Sequence, residues 1–294
     1  GGGSKDRTVK VWSIRSKGDG TGTIGPQWTY TLHKKSVSNI SFLETLRQAV
    51  SCDTSIHIWD PFVGCNVHQV DSTKLGPISV MATQKIDNQL GPVSSCVWIA
   101  TSNDNMLHTI DCRIGNVISD FKVCVGSVGL VKSVCVMPDG NTVTIGHSTG
   151  FISQIDTRTG KLRQSWKGHE GEIITLTPYT KSEFVSTSLD QTVSVWSNPE
   201  GKFRCNLAVS PDSGPVNCAG VYGDEIIMGT TSNRIIVKRG VLDDLQGNSE
   251  NVIAPYTQKL KTDILKSGLT AMKLLPMNKL LLLGQENGLI RLVC

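Results

Sequence analysis

The sequence predicts an all-β protein built from repeated short antiparallel sheets, and two observations predict it. The first is a repeated phrase, because "DRTVKVW" at residues 6–12 returns as "DQTVSVW" at residues 190–196. In both, an acidic turn precedes alternating apolar and polar residues, the period of a half-buried strand. The second is that similar strands recur at steps of 41 to 55 residues. A four-stranded propeller blade has a period of roughly 40–45 residues.

Seven strands of this kind can be aligned along the chain. They end at Trp12, Trp59, Ile110, Ile155, Trp196, Val237 and Leu292. Another apolar strand precedes each of the last six, at residues 49–52, 97–102, 142–147, 184–188, 226–230 and 280–284. Turn residues rich in Asp, Ser, Asn and Gly separate the two strands of each pair. Because such turns let a chain reverse tightly, we expect each pair to be antiparallel.

Outer strands complete each predicted sheet. A first strand precedes the pair, as at residues 36–42, 130–136 and 172–178, and a fourth follows it, as at residues 161–166 and 202–207. The sequence therefore predicts an all-β, seven-bladed β-propeller as a single domain over residues 1–294. The predicted blades span residues 1–32, 33–72, 73–124, 125–167, 168–207, 208–256 and 257–294.

The first predicted blade is incomplete at the amino terminus. The chain opens on a third strand and ends, at "IRLVC", on another third strand. A propeller protects its sheet edges by closing radially. We therefore expect the C-terminal part of a longer protein, in which roughly 25–30 preceding residues complete the ring.

Composition argues against several classes of protein. A net charge of +4 is mild and demands no nucleic-acid partner. No run of about 18 apolar residues predicts a membrane-spanning helix. The nine cysteines are scattered and form no C-x-x-C pair, which fits neither a disulfide scaffold nor a zinc ribbon. We expect reduced thiols in a cytosolic protein, with no cofactor, metal or nucleic acid.

Three sequence patterns suggest chemistry, and each has a simpler interpretation. "GTGTIG" at residues 20–25 matches G-x-G-x-x-G, but a proline and an alternating segment follow it instead of a helix, so we predict a flexible loop. His169, Ser186 and Asp190 have the residue types of a hydrolase triad without a G-x-S-x-G elbow. "CNVH" at residues 65–68 lacks a second pair of metal ligands. The sequence therefore predicts no enzyme.

Basic residues offer candidate contacts. Lys34 and Lys35 lie in the loop before a first strand, where a partner could bind. Lys238 and Arg239, followed by Gly240, partly match the Arg-Arg-Gly signature of phosphoinositide-binding propellers. Residues 257–275 could form a lysine-bearing amphipathic segment that docks on a membrane or a partner. Alternatively, "LTAMKLL" at their end is the first strand of the last blade.

The best repeat, "WKGHEGEIITL" followed by "FVSTSLDQTVSVW", resembles the WD-repeat family. His169 stands for the histidine of the family's "GH", Asp190 for its turn aspartate and Trp196 for the tryptophan of "WD". In that family, these residues and a Ser or Thr, here Ser186 or Ser188, form a hydrogen-bonded relay inside the blade.

The resemblance implies structural roles in other blades. The residues concerned are Asp6, Trp12, Asp53, Trp59, Asp104, Asp111 and Asp156. We expect a weaker relay in the second blade, where no glycine precedes His33, and in the third and fourth, where Ile110 and Ile155 replace tryptophan.

Further phrases, among them "HIWDPFVG", "DTRTG" and "LLLGQENGLIRL", resemble the propellers of the BEACH-domain group of this family. The resemblance implies a scaffold that is cytoplasmic and peripheral on endosomal or autophagic membranes. The implied partners are WD repeat-containing protein 91, the class III phosphatidylinositol 3-kinase complex and autophagy receptors. The implied processes are early-to-late endosome conversion and autophagy of ubiquitinated aggregates. The alternative function is direct binding of phosphoinositides or other anionic lipids.

Overall fold

Antiparallel strands dominate the protein. The computed structural model describes residues 2–3, 5–16, 22–70, 75–85, 93–101, 104–123, 127–232, 234–241, 252–253, 269–275, 280–285 and 290–293. A 3₁₀ turn lies at Pro211–Ser213. None of the helical structure in these ranges is long and apolar enough to cross a bilayer. The all-β prediction is therefore confirmed.

The chain forms two compact units. The first comprises residues 1–86 and 91–123. Its described strands pair in the orders β1-β2-β3, β4-β5-β6-β7 and β8-β9-β10-β11. The strands are β1 (Gly2–Gly3), β2 (Val9–Ser16), β3 (Gly22–Tyr30), β4 (Asn39–Leu43), β5 (Gln48–Cys52), β6 (Ile56–Trp59), β7 (Asn66–Val70), β8 (Ile78–Lys85), β9 (Val93–Thr101), β10 (Met106–Asp111) and β11 (Asn116–Lys122).

The second unit comprises residues 87–90 and 124–294. The strands are β12 (Val131–Val136), β13 (Thr142–His147), β14 (Phe151–Asp156), β15 (Lys161–Lys167), β16 (Ile173–Pro178), β17 (Glu183–Ser188), β18 (Val193–Ser197), β19 (Phe203–Leu207), β20 (Val216–Tyr222), β21 (Glu225–Thr230), β22 (Ile235–Lys238), β23 (Val252–Ile253), β24 (Leu269–Leu275), β25 (Leu280–Gln285) and β26 (Ile290–Val293). Their sheet orders are β12-β13-β14-β15, β16-β17-β18-β19-β23, β20-β21-β22 and β24-β25-β26.

Burial follows strand position within a sheet. Every residue of β13, "TVTIGH", is buried, whereas β15, "KLRQSWK", alternates between exposed and half-buried residues. The same alternation marks β11. A strand covered on both faces needs continuous apolar or paired residues, while a half-solvated strand alternates. The fourth strand of these sheets therefore borders solvent.

Consecutive sheets within each unit share apolar cores. In the first unit, Val50 and Ile58 pack with Val97 and Ile110 of the next sheet. In the second unit, Ile152 packs with residues of the following sheet. Fully burying one such side chain contributes about 1.5–3 kcal/mol. Stacking of sheets is therefore what stabilises each unit, as expected for blades that cannot bury their faces alone.

Two local predictions are corrected. The prediction of a loop at residues 20–25 is wrong for residues 22–25, because β3 begins at Gly22 and pairs with β2 from there. Backbone pairing needs no side chain, so glycines can occupy a strand. The first strand predicted at residues 36–42 is Asn39–Leu43 instead, and the loop before it is held by hydrogen bonds from Lys34 N and Lys35 N to a turn aspartate, Asp53.

Other predictions have mixed outcomes. The "LTAMKLL" segment forms β24 as predicted, whereas residues 257–268 lie outside the described ranges. An unpredicted strand, β23, lies in the predicted sixth blade but pairs in parallel with β19 of the preceding sheet. The blade boundaries, ring closure and blade count stay predictions.

Candidate functional site: buried polar frames and solvent-exposed loops

A buried polar frame lies inside the sheet of β16–β19, and we call it the His169 frame. Ser186 Oγ lies 2.6 Å from Nε2 of His169 and accepts a 2.8 Å hydrogen bond from Nε1 of Trp196. The imidazole Nδ1 lies 2.6 Å from Oγ1 of Thr192, which donates to Asp190 over 2.5 Å. An indole N–H only donates and a carboxylate only accepts, so the protons run from tryptophan toward aspartate. This direction assigns the proton of neutral His169 to Nδ1.

Burial and hydrogen bonding fix the charges of the His169 frame. Burial lowers the pKa of His169, against the opposing effect of the Asp190 carboxylate 3.4 Å away. Burial also acts to raise the pKa of Asp190, but hydrogen bonds from Thr192 and Glu170 outweigh it and lower that pKa. The hydroxyl of Ser186 is fully buried. A substrate therefore cannot reach this triad-like set, which serves as a structural frame.

The sheet of β4–β7 contains a second frame, the His33 frame. Ser51 Oγ lies 2.6 Å from Nε2 of His33 and accepts a 2.9 Å hydrogen bond from Nε1 of Trp59. On the other side, Nδ1 of His33 lies 3.3 Å from Oδ1 of Asp53. The histidine–serine–tryptophan contacts thus recur at similar distances, but the hydroxyl of Ser55 bonds to His57 and Asp53, so no hydroxyl joins His33 to its aspartate as Thr192 joins His169 to Asp190.

The missing glycine has a steric explanation. A Cβ at Gly168, which precedes His169, would lie 2.7 Å from Cδ1 of Ile152. The residue before His33 is Leu32, whose side chain is 54% exposed. A side chain is therefore tolerated before the histidine of one frame but not of the other.

The turn aspartate Asp53 also forms hydrogen bonds to the loop that follows His33. Oδ2 of Asp53 accepts hydrogen bonds from the backbone N–H groups of Lys34, at 3.1 Å, and Lys35, at 3.0 Å. Burial acts to raise the pKa of Asp53, yet backbone hydrogen bonds such as that from Ser55 lower it. Lys34 and Lys35 themselves are exposed. These two lysines therefore project from a loop whose backbone is held in place.

Sequence reasoning missed a second histidine beside the His33 frame. The ring of His57 stacks on that of His33, with centroids 4.1 Å apart and an interplanar angle of 13°. Nδ1 of His57 lies 2.9 Å from the hydroxyl of Tyr30, and Nε2 lies 3.0 Å from Oγ of Ser55. Burial, followed by the effect of His33, lowers the pKa of His57 to about 4. The alternation of "SIHIW" predicts that His57 points inward, but it does not predict which side chains His57 contacts.

His33, Asp53 and His57 bring potential metal-ligand atoms within 4.8 Å of one another. A zinc ion must lie in the plane of each imidazole, about 2.0–2.1 Å from its nitrogen. Stacked, nearly parallel rings hold their lone pairs in separate planes, so one ion cannot satisfy both. The stacked arrangement therefore fits a hydrogen-bonded core and not a metal centre.

Asp6 and Asp104 cap turns in other sheets. Oδ1 of Asp6 accepts hydrogen bonds from N and Oγ1 of Thr8, at 3.0 and 2.6 Å. Oδ1 of Asp104 accepts one from N of Met106, at 3.0 Å. The side chain of Trp12 lies outside the described side chains, although its backbone belongs to β2. These aspartates thus shape the turns that precede third strands.

Asp111 and Asp156 pair with arginines two residues later. Nη2 of Arg113 lies 2.6 Å from Asp111 Oδ2, and Nη2 of Arg158 lies 3.4 Å from Asp156 Oδ2. Hydrogen bonding by Arg113 lowers the pKa of Asp111. Hydrogen bonding by Arg158 lowers the pKa of Asp156 to about 2. Both carboxylates are therefore charged at neutral pH and are engaged in their own turns.

The two residues predicted to bind lipid are poorly placed for it. Lys238 is buried, with 8% of its surface exposed. Nε of Arg239 lies 2.6 Å from Oε1 of Glu225. A phosphoinositide headgroup would therefore meet a guanidinium that already pairs with a carboxylate. This placement counts against direct lipid binding through this pair.

The described cysteines are free thiols. Cys65 is exposed, Cys96 is partly exposed, and the remaining five are buried: Cys52, Cys112, Cys135, Cys205 and Cys218. Burial raises the pKa of Cys135 to about 12. The buried thiols therefore act as small apolar side chains at neutral pH.

Comparison with known proteins agrees with this geometry. A family model described as "WD domain, G-beta repeat" matches residues 160–197, which contain β15 to β18 and the whole His169 frame. The chain belongs to the WD-repeat family.

Similarity over the whole chain points to particular members of this family. The chain is 36% identical, over 99% of its length, to WD repeat-containing protein 81 of Danio rerio and to that of Rattus norvegicus. It is 26% identical, over 99% of its length, to Suppressor of organelle fusion 2 of Caenorhabditis elegans. It spans 14% of the length of the two vertebrate proteins and 19% of that of the nematode protein.

Proposed function

We propose that the chain is a non-enzymatic protein-interaction scaffold in an endosomal assembly. The observation that carries this proposal is the use of its polar residues. Histidine, serine and aspartate side chains of the types that catalyse are paired with one another inside the His33 and His169 frames. Exposed side chains lie on loops, turns and outer strands. Rigid sheets that present variable loops are suited to binding.

The proposed assembly follows the proteins to which the chain is similar. In this assembly, the protein acts with WD repeat-containing protein 91 to restrain the class III phosphatidylinositol 3-kinase complex during early-to-late endosome conversion. It also contributes, with autophagy receptors, to autophagy of ubiquitinated aggregates. The protein works in the cytoplasm, peripheral on endosomal or autophagic membranes. Similarity to WD repeat-containing protein 81 and to a protein named for organelle fusion supports an endomembrane role.

Co-precipitation with purified components tests the proposal. The immobilised chain is incubated with WD repeat-containing protein 91 and, separately, with the class III phosphatidylinositol 3-kinase complex. We expect at least one of them to be retained above an unrelated propeller used as control. Retention of neither would contradict the proposed assembly.

A matched variant tests the lysine loop. Lys34→Glu combined with Lys35→Glu changes two exposed side chains but keeps the backbone N–H groups that bond to Asp53. If this loop contacts the partner, the double variant lowers retention while folding stays intact. Unchanged retention would assign the contact to another surface.

A further inference from the structure

Within the described ranges, four turns between third and fourth strands share one backbone geometry. In each, a glycine N–H donates to the carbonyl of the residue four positions earlier, and the glycine has a positive φ that other residues rarely adopt. The donor and acceptor pairs are Gly64 with Asp60, Gly115 with Asp111, Gly160 with Asp156, and Gly201 with Ser197, at 2.7, 2.8, 2.8 and 3.0 Å. The glycine φ values are 83°, 69°, 70° and 68°. The turn is therefore built by its first and last residues.

The side chains inside these turns vary. Arg113 and Arg158 occupy the third position of two turns and pair with the aspartate of the first position. The third position of the β6–β7 turn is Phe62, which is 60% exposed, and the fourth is Val63, 76% exposed. The Asp60 carboxylate still accepts the N–H of Phe62 at 2.7 Å. The turn thus forms with arginine at the third position of two sister copies, so its geometry does not require Phe62.

Two residues at the same end of this sheet extend the exposed apolar surface. Phe42, 42% exposed on β4, makes an edge contact with Phe62 at a centroid distance of 6.3 Å. Cζ of Arg47, in the β4–β5 turn, lies 5.0 Å from the Phe62 centroid. We call Phe42, Arg47, Phe62 and Val63 the Phe62 patch.

The positive charge of Arg47 distinguishes the Phe62 patch from a purely apolar surface patch. Among the described residues Arg47 forms no ion pair, although Arg113, Arg158, Arg163 and Arg239 do. Its guanidinium is held over an aromatic face, an arrangement that restrains the side chain and leaves its planar fork of donors free. Such a fork binds a carboxylate through two parallel hydrogen bonds.

We propose that the Phe62 patch binds a short acidic segment of a partner protein, in which a carboxylate lies next to a large apolar side chain. The apolar side chain packs against Phe42, Phe62 and Val63, and the carboxylate pairs with Arg47. Exposed aromatic residues beside arginine are the composition that binding hot spots favour. Because Arg47 is already restrained by Phe62, less side-chain entropy is lost on binding. This inference rests on the proposed scaffold function and gives it a contact surface.

Fluorescence anisotropy with synthetic peptides tests the proposal. The probes are short fluorescein-labelled peptides in which Leu, Ile or Phe is flanked by glutamates in a Ser-Gly background. Matched peptides carry glutamine in place of glutamate. We expect one or more glutamate peptides to bind at least about tenfold more tightly than the glutamine counterpart, the scale of a hot-spot contact.

Substitutions test whether the peptide binds at the Phe62 patch. Phe62→Ser and Arg47→Gln are each expected to weaken the glutamate peptide about tenfold or more. Val63→Thr, which copies Thr159 of a sister turn, should also weaken it. Ile114→Thr changes an apolar residue that is 55% exposed, close to the 60% of Phe62, in the sister turn of the next sheet, and it should have no effect. Circular dichroism confirms that each variant is folded.

Three outcomes would overturn the proposal. The first is equal affinity for glutamate and glutamine peptides. The second is binding only to anionic vesicles of phosphatidylserine and phosphatidylcholine. The third is glutamate-peptide affinity that Phe62→Ser and Arg47→Gln leave unchanged. Each outcome leaves the co-precipitation result intact, so failure of the patch and failure of the scaffold function are distinguishable.

Discussion

Substitution of Ser186 by alanine tests whether the His169 frame is structural. The hydroxyl meets both Nε2 of His169 and Nε1 of Trp196 and is fully buried. Its removal leaves two buried polar groups without this partner. Each such group costs about 1–3 kcal/mol, so we expect the free energy of unfolding of this sheet to fall by about 2–6 kcal/mol.

Amide hydrogen exchange read by mass spectrometry measures this cost locally. Since about 1.4 kcal/mol is a factor of ten, the most protected amides of β17 and β18 should exchange roughly 30-fold to 20,000-fold faster in Ser186→Ala. Ser194→Ala is the matched control, because Ser194 is also buried on the same sheet but donates a single hydrogen bond, to Asn206. Its effect should be about two- to tenfold. An effect of Ser186→Ala no larger than that of Ser194→Ala would refute the reasoning.

Three further predictions concern other parts of the chain. Gly115→Ala should lower the melting temperature more than Gly223→Ala, because both have positive φ but only a Cβ at Gly115 meets a neighbour, at 2.9 Å; equal shifts in thermal unfolding would contradict this. The folded pKa of His57 is lowered to about 4, so the first unit should lose stability as pH falls from about 6.5 toward 4, by up to about 1.4 kcal/mol per pH unit from this group. Replacing His57 by Gln should flatten that dependence in hydrogen exchange corrected for intrinsic rates, and an unchanged slope would count against it. Iodoacetamide should alkylate exposed Cys65 far faster than buried Cys135, whose pKa is raised to about 12, as mass spectrometry of the peptides would show; equal labelling of the folded chain would contradict this.

Much of the fold could be predicted because its signals are local. Alternation and turn residues placed the strand at residues 142–147 with its observed bounds and the other central strands within a few residues. The parallel pairing of β23 with β19 could not be predicted, because a two-residue strand has no periodicity. Pairing across about 45 residues depends on tertiary packing, which a local pattern does not contain.

The polar frames, too, could be predicted only where a local sequence pattern marks them. His169, Ser186 and Trp196 were recognised together because they follow a known spacing. Ser51 was not predicted, because the sequence does not distinguish a buried, hydrogen-bonded serine on a strand from a solvent-exposed one. His57 was missed for a similar reason, since its stacking on the His33 ring follows from three-dimensional packing alone.

The exposed surface was the least predictable part. The sequence places Lys238 at the end of an apolar run, where a basic residue is commonly solvated, yet the structure includes it in β22 and buries it. Phe62 belongs to a phrase that carried the family resemblance, but only the structure shows that its side chain is 60% exposed. Side-chain exposure depends on neighbouring strands, so a turn pattern cannot assign it.

Buried polar residues hold the sheets together, and we propose that partners bind the exposed side chains. Measuring peptide affinity and hydrogen exchange on the same two variants, Ser186→Ala and Phe62→Ser, separates these two roles. We expect Ser186→Ala to accelerate exchange in its sheet but to keep glutamate-peptide affinity, and Phe62→Ser to do the reverse. Loss of affinity in Ser186→Ala with exchange unchanged would instead make the His169 frame a functional site and contradict this division of roles.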